Sequence, residues 1–132
     1  MKGVSMKHTS MKHTKESLSA NKRQTGAFYE CKAEQYLREK GYRILETNFQ
    51  NRSGEIDIIA KDGEYFCFIE VKYRTNKEFG HPLEAVNVRK QNQIRKVAAY
   101  YLMKNKLSEW TPCRFDVIAF VGEEMTHIEN AF

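Results

Sequence analysis

Asp57, Glu70 and Lys72 are the residues best suited by type and spacing to do chemistry together. Two carboxylates held side by side repel, and a divalent cation is a common remedy. A buried carboxylate is also costly unless a charge, a metal or hydrogen bonds compensate it. The competing reading is a plain ion pair of Glu70 or Asp57 with Lys72, since Glu-x-Lys alone is a weak motif. The apolar run, the hairpin and the upstream Asp tip the balance toward a cation site.

Residues 54–74 supply that setting. Two runs rich in aromatic and β-branched residues flank Lys61-Asp62-Gly63-Glu64. Asp-Gly between such runs signals a tight hairpin, because Gly accepts the positive φ that the turn needs. Strands are therefore predicted at about 55–60 and 65–73. Alternation puts Tyr65, Cys67, Ile69, Val71 and Tyr73 on one side, and Phe66, Phe68, Glu70 and Lys72 on the other. Both sides are apolar up to Glu70, as in a central strand covered on both faces. Asp57 is expected on the face opposite Ile56 and Ile58, close to Glu70 across the hairpin.

The chain of 132 residues is the size of one domain. Apolar residues make up 41%, and 8 Phe with 7 Tyr can build a core. No run approaches the roughly 20 apolar residues of a membrane span, and the N-terminus lacks the apolar stretch of a secretory signal. Cys31, Cys67 and Cys113 are widely spaced and no Cys-x-x-Cys occurs, which argues against a zinc site or a disulfide framework. They are expected to be buried reduced thiols in a cytoplasmic protein with no membrane partner. The net charge of +5 belongs to the tail: residues 1–25 carry six Lys or Arg against one Glu, and residues 26–132 carry 16 of each sign. Acid-free basic patches at 72–77 and 89–96 can meet phosphates or serve as solvated faces.

Residues 1–20 repeat Met-Lys-His-Thr and lack apolar periodicity. Residues 1–21 are therefore expected to be a disordered basic tail, with the domain over 22–132. A helix is predicted from about 22–27 to 40, with Phe28, Cys31, Tyr36 and Leu37 at helical spacing and Gly41 as its stop. Glu30 reads either as an acid facing inward at the stripe's margin or as a solvated glutamate favoured by the helix dipole; spacing alone favours the second. A strand over 42–49 and a loop over 48–54 precede the hairpin, and a polar loop over 75–82 follows it. A long helix ending near 104 carries Ile94, Val97, Ala98, Tyr101 and Leu102 as its apolar stripe. Extending that stripe backwards gives Lys90 and then Val86. Lys90 thus either points at the charged end of the hairpin or snorkels with its stem buried. Strands over 114–121 and 126–128 complete an αβββαβ(β) order, an α/β (α+β) layered fold. Asp116, on the face with Arg114, Ile118 and Phe120, is expected to pair with a backbone amide or an arginine.

A helix bearing Glu30, then Gly54-Glu55-Ile56-Asp57, then Glu70-Val71-Lys72 resembles the PD-(D/E)XK nuclease superfamily, with its restriction-endonuclease-like fold. More narrowly, the chain is similar to the bacterial YraN family of predicted endonucleases. The resemblance runs from about residue 26 to 132. It includes Gly41-Tyr42-Arg43-Ile44-Leu45, Asn48, the whole hairpin, Phe79-Gly80, residues 86–90, Arg114-Phe115-Asp116-Val117 and the final His127-Ile128-Glu129-Asn130-Ala131-Phe132. The layout is also similar to that of archaeal Holliday junction resolvases, which carry a first-helix glutamate. Ile56 stands where the superfamily motif has its proline, a position that is often variable.

The resemblance implies a central mixed sheet of about 4–5 strands flanked by helices, and a Mg²⁺- or Mn²⁺-dependent endonuclease. Asp57 and Glu70 would bind the metal, with the Val71 carbonyl as a further ligand, and Glu30 would complete the shell or hold a second ion. Lys72 would orient or deprotonate the attacking water, or stabilise the transition-state charge. Arg52, Arg74 and Lys90 are candidates for phosphate contacts. The partner would be nucleic acid, with DNA favoured and branched or repair and recombination intermediates among the substrates. A homodimer is an option, because relatives that cut both strands commonly pair. The rival readings are the same fold clasping nucleic acid or a protein without cutting, and a protein-interaction domain that meets no nucleic acid.

Overall fold

The structure, a computed structural model, describes residues 15–75 and 86–132. Helix α1 spans Lys15–Glu39 and leads into strands β1 (Arg43–Asn51), β2 (Gly54–Asp62) and β3 (Tyr65–Arg74). Helix α2 (Val88–Lys104) then precedes β4 (Cys113–Val121) and β5 (Glu124–Ile128). The strands form one open sheet in the order β1-β2-β3-β4-β5. Neighbours are antiparallel except β3 and β4, which run parallel. A parallel pair needs a crossover, and α2 lies within it. The fold is thus the expected mixed α/β layering.

The hairpin forms as its sequence dictates. Asp62 pairs with Tyr65, and Gly63 between them takes φ 61°. β3 is the middle strand, and its Cys67, Phe68 and Ile69 are fully buried. Their alternation feeds two cores. Phe68 joins Val117 from β4 and Ile94, Val97 and Tyr101 from α2. Cys67 and Ile69 join Ile58 and Ile118 against Ala33 and Leu37 of α1. Each large side chain so buried contributes about 1.5–3 kcal/mol, and both core faces are anchored on the strand that carries Glu70.

Two close fits set the site's frame. A Cβ on Gly54 would lie 3.5 Å from Gln93 Cβ and 3.7 Å from Val97 Cγ2, so the start of β2 rests directly on α2. Asn87 caps α2 by accepting the Lys90 N–H at 2.8 Å, which fixes the helix's first turn.

Several boundaries differ from the expectation. α1 begins at Lys15, ahead of the predicted 22–27, so residues 15–21 of the expected tail are helical. Apolar periodicity is missing there, but Lys15, Glu16, Leu18 and Ala20 are good helix formers. Residues 1–14, and residues 76–82 of the expected polar loop, lie outside the described residues. The inward stripe of α1 is Tyr29, Ala33, Tyr36 and Leu37. Phe28 and Cys31 are exposed, which corrects both the stripe and the expectation that all three cysteines are buried. Cys67 is buried, its thiol pushed up to about 12 by loss of solvent, and none of the three cysteines is in a disulfide.

Candidate active site

β2 and β3 pair from Asp62 and Tyr65 as far as Ile58 and Ile69. The same register carried one step further would set Asp57 opposite Glu70. Amides alternate along a strand, and the Phe66 N–H goes to Pro112 O, on the β4 side. The Val71 N–H therefore faces β2, beyond the last paired residue. Asp57 Oδ2 accepts it at 2.8 Å. The carboxylate takes over a donor that the parting strands would leave without a partner.

β1 is bent at the same level. Thr47 pairs with Ile58 and Phe49 with Ile56, and Asn48 between them adopts φ 52°. Asn is one of the few residues that tolerate this left-handed conformation. Past the bend the faces exchange: Ile58 packs toward α1, whereas Ile56 packs with Phe49 and Val97 toward α2. Ile56 and Ile58 thus do not share a face, contrary to strict alternation. Asp57 sits at the crossover between the two cores. Asn48 Nδ2 also donates to Glu30 Oε1 at 3.0 Å, joining the middle of α1 to this break.

Glu70 is only 4% exposed, and Oε2 faces two ammonium groups. Lys72 Nζ is 3.4 Å away and Lys90 Nζ 3.5 Å. Oε1 is buried and has no hydrogen-bond partner among the described residues. A buried carboxylate oxygen without a donor is rare, and it marks a place where a ligand's positive charge would be welcome.

The electrostatics describe a site crowded with acid. Burial, then the Glu70 charge, push the Asp57 carboxyl up to about 8; the Val71 N–H pulls it down, and Glu30 and Glu55 raise it further. Glu30 is raised first by burial, then by Glu55, Glu34 and Glu70. The structure therefore brings Asp57, Glu70, Lys72, Lys90 and the Val71 backbone together, with Glu30 tied in through Asn48. Arg74 ends β3, where its carbonyl accepts the Gly122 N–H at 2.9 Å. Arg52 is exposed in the β1–β2 turn, beside an Asn51 side chain that accepts the Ser53 N–H at 2.8 Å.

The donor set limits what could bind. Among the described residues, no three His, Cys, Asp or Glu side chains converge as a ready metal cluster. Asp57, Glu70 and a backbone carbonyl suit Mg²⁺ or Mn²⁺, which keep several waters and need few protein carboxylates. The buried Glu70 Oε1 fits such an ion. Glu30 is instead engaged by Asn48. A cavity of about 540 Å³ lies elsewhere, lined by Tyr29, Lys32, Tyr36, Phe120 and Met125, and none of the three central residues reaches it.

Sequence reading missed the role of Asn48, whose signal was a residue type tolerant of positive φ inside a strand. It also missed how far the Asp116 pairing extends. Asp116 is fully buried and accepts from Arg114 at 2.9 and 3.1 Å, from the Asn130 N–H at 2.9 Å, and lies 2.8 Å from His127 Nε2. Arg114 reaches on to Asp62 and Tyr42, and Tyr36 OH meets His127 Nδ1 at 3.0 Å. This network fastens the C-terminal segment to the sheet and to α1, on the side away from Glu70. No helix among the described residues is long and apolar enough to cross a membrane.

The model of a family described as "Uncharacterised protein family UPF0102" matches residues 29–120, which include Glu30, Asp57, Glu70, Lys72 and Lys90. A UPF0102 protein of Lachnoclostridium phytofermentans is 51% identical over 112 residues, covering 85% of this chain and 95% of that one. One from Acetivibrio thermocellus is 46% identical over 122 residues, covering 85% and 93%. Another, from Thermodesulfovibrio yellowstonii, is 52% identical over 97 residues, covering 74% and 85%.

Proposed function

The chain belongs to the uncharacterised protein family UPF0102, and from its site we propose that it is a Mg²⁺- or Mn²⁺-dependent endonuclease acting on nucleic acid in the cytoplasm, with DNA as the favoured polymer. The observation that carries this reading is Glu70. It is a buried acid with one oxygen held by two lysines and the other without a partner among the described residues, beside the Asp57 carboxylate. The resemblance to PD-(D/E)XK nucleases, and to the YraN family in particular, supports the same roles. Branched or repair and recombination intermediates fit that resemblance best, and a homodimer would serve a substrate cut on both strands.

Asp57 and Glu70 would hold the cation, with the Val71 carbonyl completing the protein's share, and Glu30 would add negative charge behind Asp57. When bound, the ion supplies Lewis-acid polarisation of the phosphodiester and acidifies water. Lys72, on the same face of β3 as Glu70, would orient the attacking water and offset charge building on the phosphate. Arg52, Arg74 and Lys90 would contact flanking phosphates. The crowding that pushes Asp57 up to about 8 favours a cation, because neutralising both acids relieves their repulsion.

A cleavage assay over labelled duplex, branched and single-stranded DNA and RNA, with and without Mg²⁺, tests the reading. Metal-dependent cutting that Asp57→Ala abolishes is the expected result. Absence of both cutting and divalent-cation binding at millimolar concentration would remove it. A second reading draws on the two lysines already neutralising Glu70: a module that clasps nucleic acid without cutting. Metal-independent, salt-sensitive binding with no cleavage would select that one.

A further inference from the structure

Glu70 Oε2 has two ammonium groups within 3.5 Å, and the two arrive from different elements. Lys72 is carried by the same strand as Glu70, with its side chain 35% exposed. Lys90 comes from the first turn of α2, with its side chain about a third exposed (34%). Asn87 fixes the Lys90 backbone, so only the flexible four-carbon stem decides where the charge sits. Val88 and Arg89, beside it in the same turn, are exposed. Lys90 can therefore swing from Glu70 to solvent without disturbing the helix.

We propose that Lys90 is an exchangeable counter-charge: it neutralises Glu70 in the free protein and transfers to a substrate phosphate when a divalent cation takes its place. The inference rests on the nuclease reading and adds to it a coupling between metal and substrate. A divalent ion on Glu70 Oε1 would crowd further positive charge against the two ammonium groups on Oε2, and the repulsion is relieved when one of them departs. Both amines can turn to solvent, but Lys72 is assigned to the attacking water, which leaves Lys90 as the one that exchanges. Once displaced, it stands at the end of α2 nearest the parted strands, where a bound phosphodiester would supply a new partner. Metal and substrate each then lower the other's free energy of binding, and by linkage the effect is reciprocal.

The test is calorimetric titration of Mn²⁺ alone into wild-type protein, Lys90→Met and Lys90→Arg, without nucleic acid. Lys90→Met keeps the stem and removes the competitor, so Mn²⁺ should bind about 3- to 10-fold tighter. Lys90→Arg should stay near wild type. Fluorescence anisotropy with duplex DNA in Ca²⁺ should show Lys90→Met binding more weakly, with a smaller gain from the cation. Unchanged or weaker Mn²⁺ binding by Lys90→Met, with wild type binding normally, would overturn the exchange and leave the nuclease reading standing. No Mn²⁺ bound by wild type would overturn both.

Discussion

Asp57 Oδ2 accepts the Val71 N–H at 2.8 Å, a side chain from one strand closing the hydrogen-bond ladder that its neighbour has abandoned. The same contact fixes the carboxylate beside Glu70, so the backbone of β3 positions both acids. The arrangement is electrostatically unfavourable for Asp57, which burial and the Glu70 charge both push toward its neutral form.

Asp57→Asn exposes that cost. Asn can still accept the Val71 N–H through its carbonyl oxygen but carries no charge. The Asp57 carboxyl sits at about 8 in the folded protein, against about 3.9 in an unfolded chain. Between those values unfolding releases a proton, so wild-type stability from this group falls as pH rises through the window and levels off above it. In chelator, Asp57→Asn should be more stable than wild type at pH 8 by about 1–3 kcal/mol, and the gap should close toward pH 4. Urea denaturation at both pH values checks this. An Asn variant less stable than wild type at pH 8 would show that the carboxylate is satisfied by contacts other than those described.

Asn48 gives a second separation of causes. Its φ of 52° is tolerated by Asn and strains most other residues with a Cβ, and its side chain holds Glu30. Asn48→Gly should lose the Glu30 bond while keeping the bend, and fold with nearly wild-type stability. Asn48→Ala loses the bond and meets the strain, so it should be lower by about 1–2 kcal/mol. Equal stabilities for the two variants would mean that the bend, and with it the position of Asp57, is set by something other than this residue.

Glu70 and Lys72 should part company in kinetics. Glu70→Gln removes the charge that a cation needs but little stability, since both lysines are about a third exposed and can return to water (35% and 34%). Loss of Mn²⁺ binding with a melting temperature near wild type is expected. Lys72→Met should still bind Mn²⁺ and cut at least about 100-fold more slowly. If Lys72→Met cuts at the wild-type rate, the amine has no part in the chemistry.

The hairpin was legible because its signals are local. Asp62-Gly63 sets the turn, and the two-sided apolar run from Tyr65 marks a middle strand. The grouping of Glu70, Lys72 and Lys90 follows from two periodicities, one of a strand and one of a helix. The break at Asp57 was not legible, because it depends on Asn48 of another strand adopting an uncommon φ, and pattern reading assumes alternation continues. Phe28 and Cys31 misled for a related reason. They share helical spacing with Leu37, yet the sheet meets α1 along Tyr29, Ala33 and Tyr36, one step around the helix.

The Asp116 network makes the last prediction, and it concerns folding rather than cleavage. Burial alone would raise Asp116, but His127, Arg114 and the Asn130 N–H together hold it below the ordinary carboxylate range. Its charge therefore contributes stability that is present above that range and lost as pH falls through the folded value. Asp116→Ala leaves Arg114 and His127 without their shared acceptor in a buried place, and should reduce stability by about 3–5 kcal/mol at pH 7. Asp116→Asn keeps the shape and should flatten the acid side of the stability profile, because the group that titrates is gone. Urea midpoints at pH 7 and pH 3 read both effects. If Asp116→Asn loses as much stability as wild type on acidification, the acid sensitivity belongs to other carboxylates, and the network holds the C-terminal segment through geometry rather than charge.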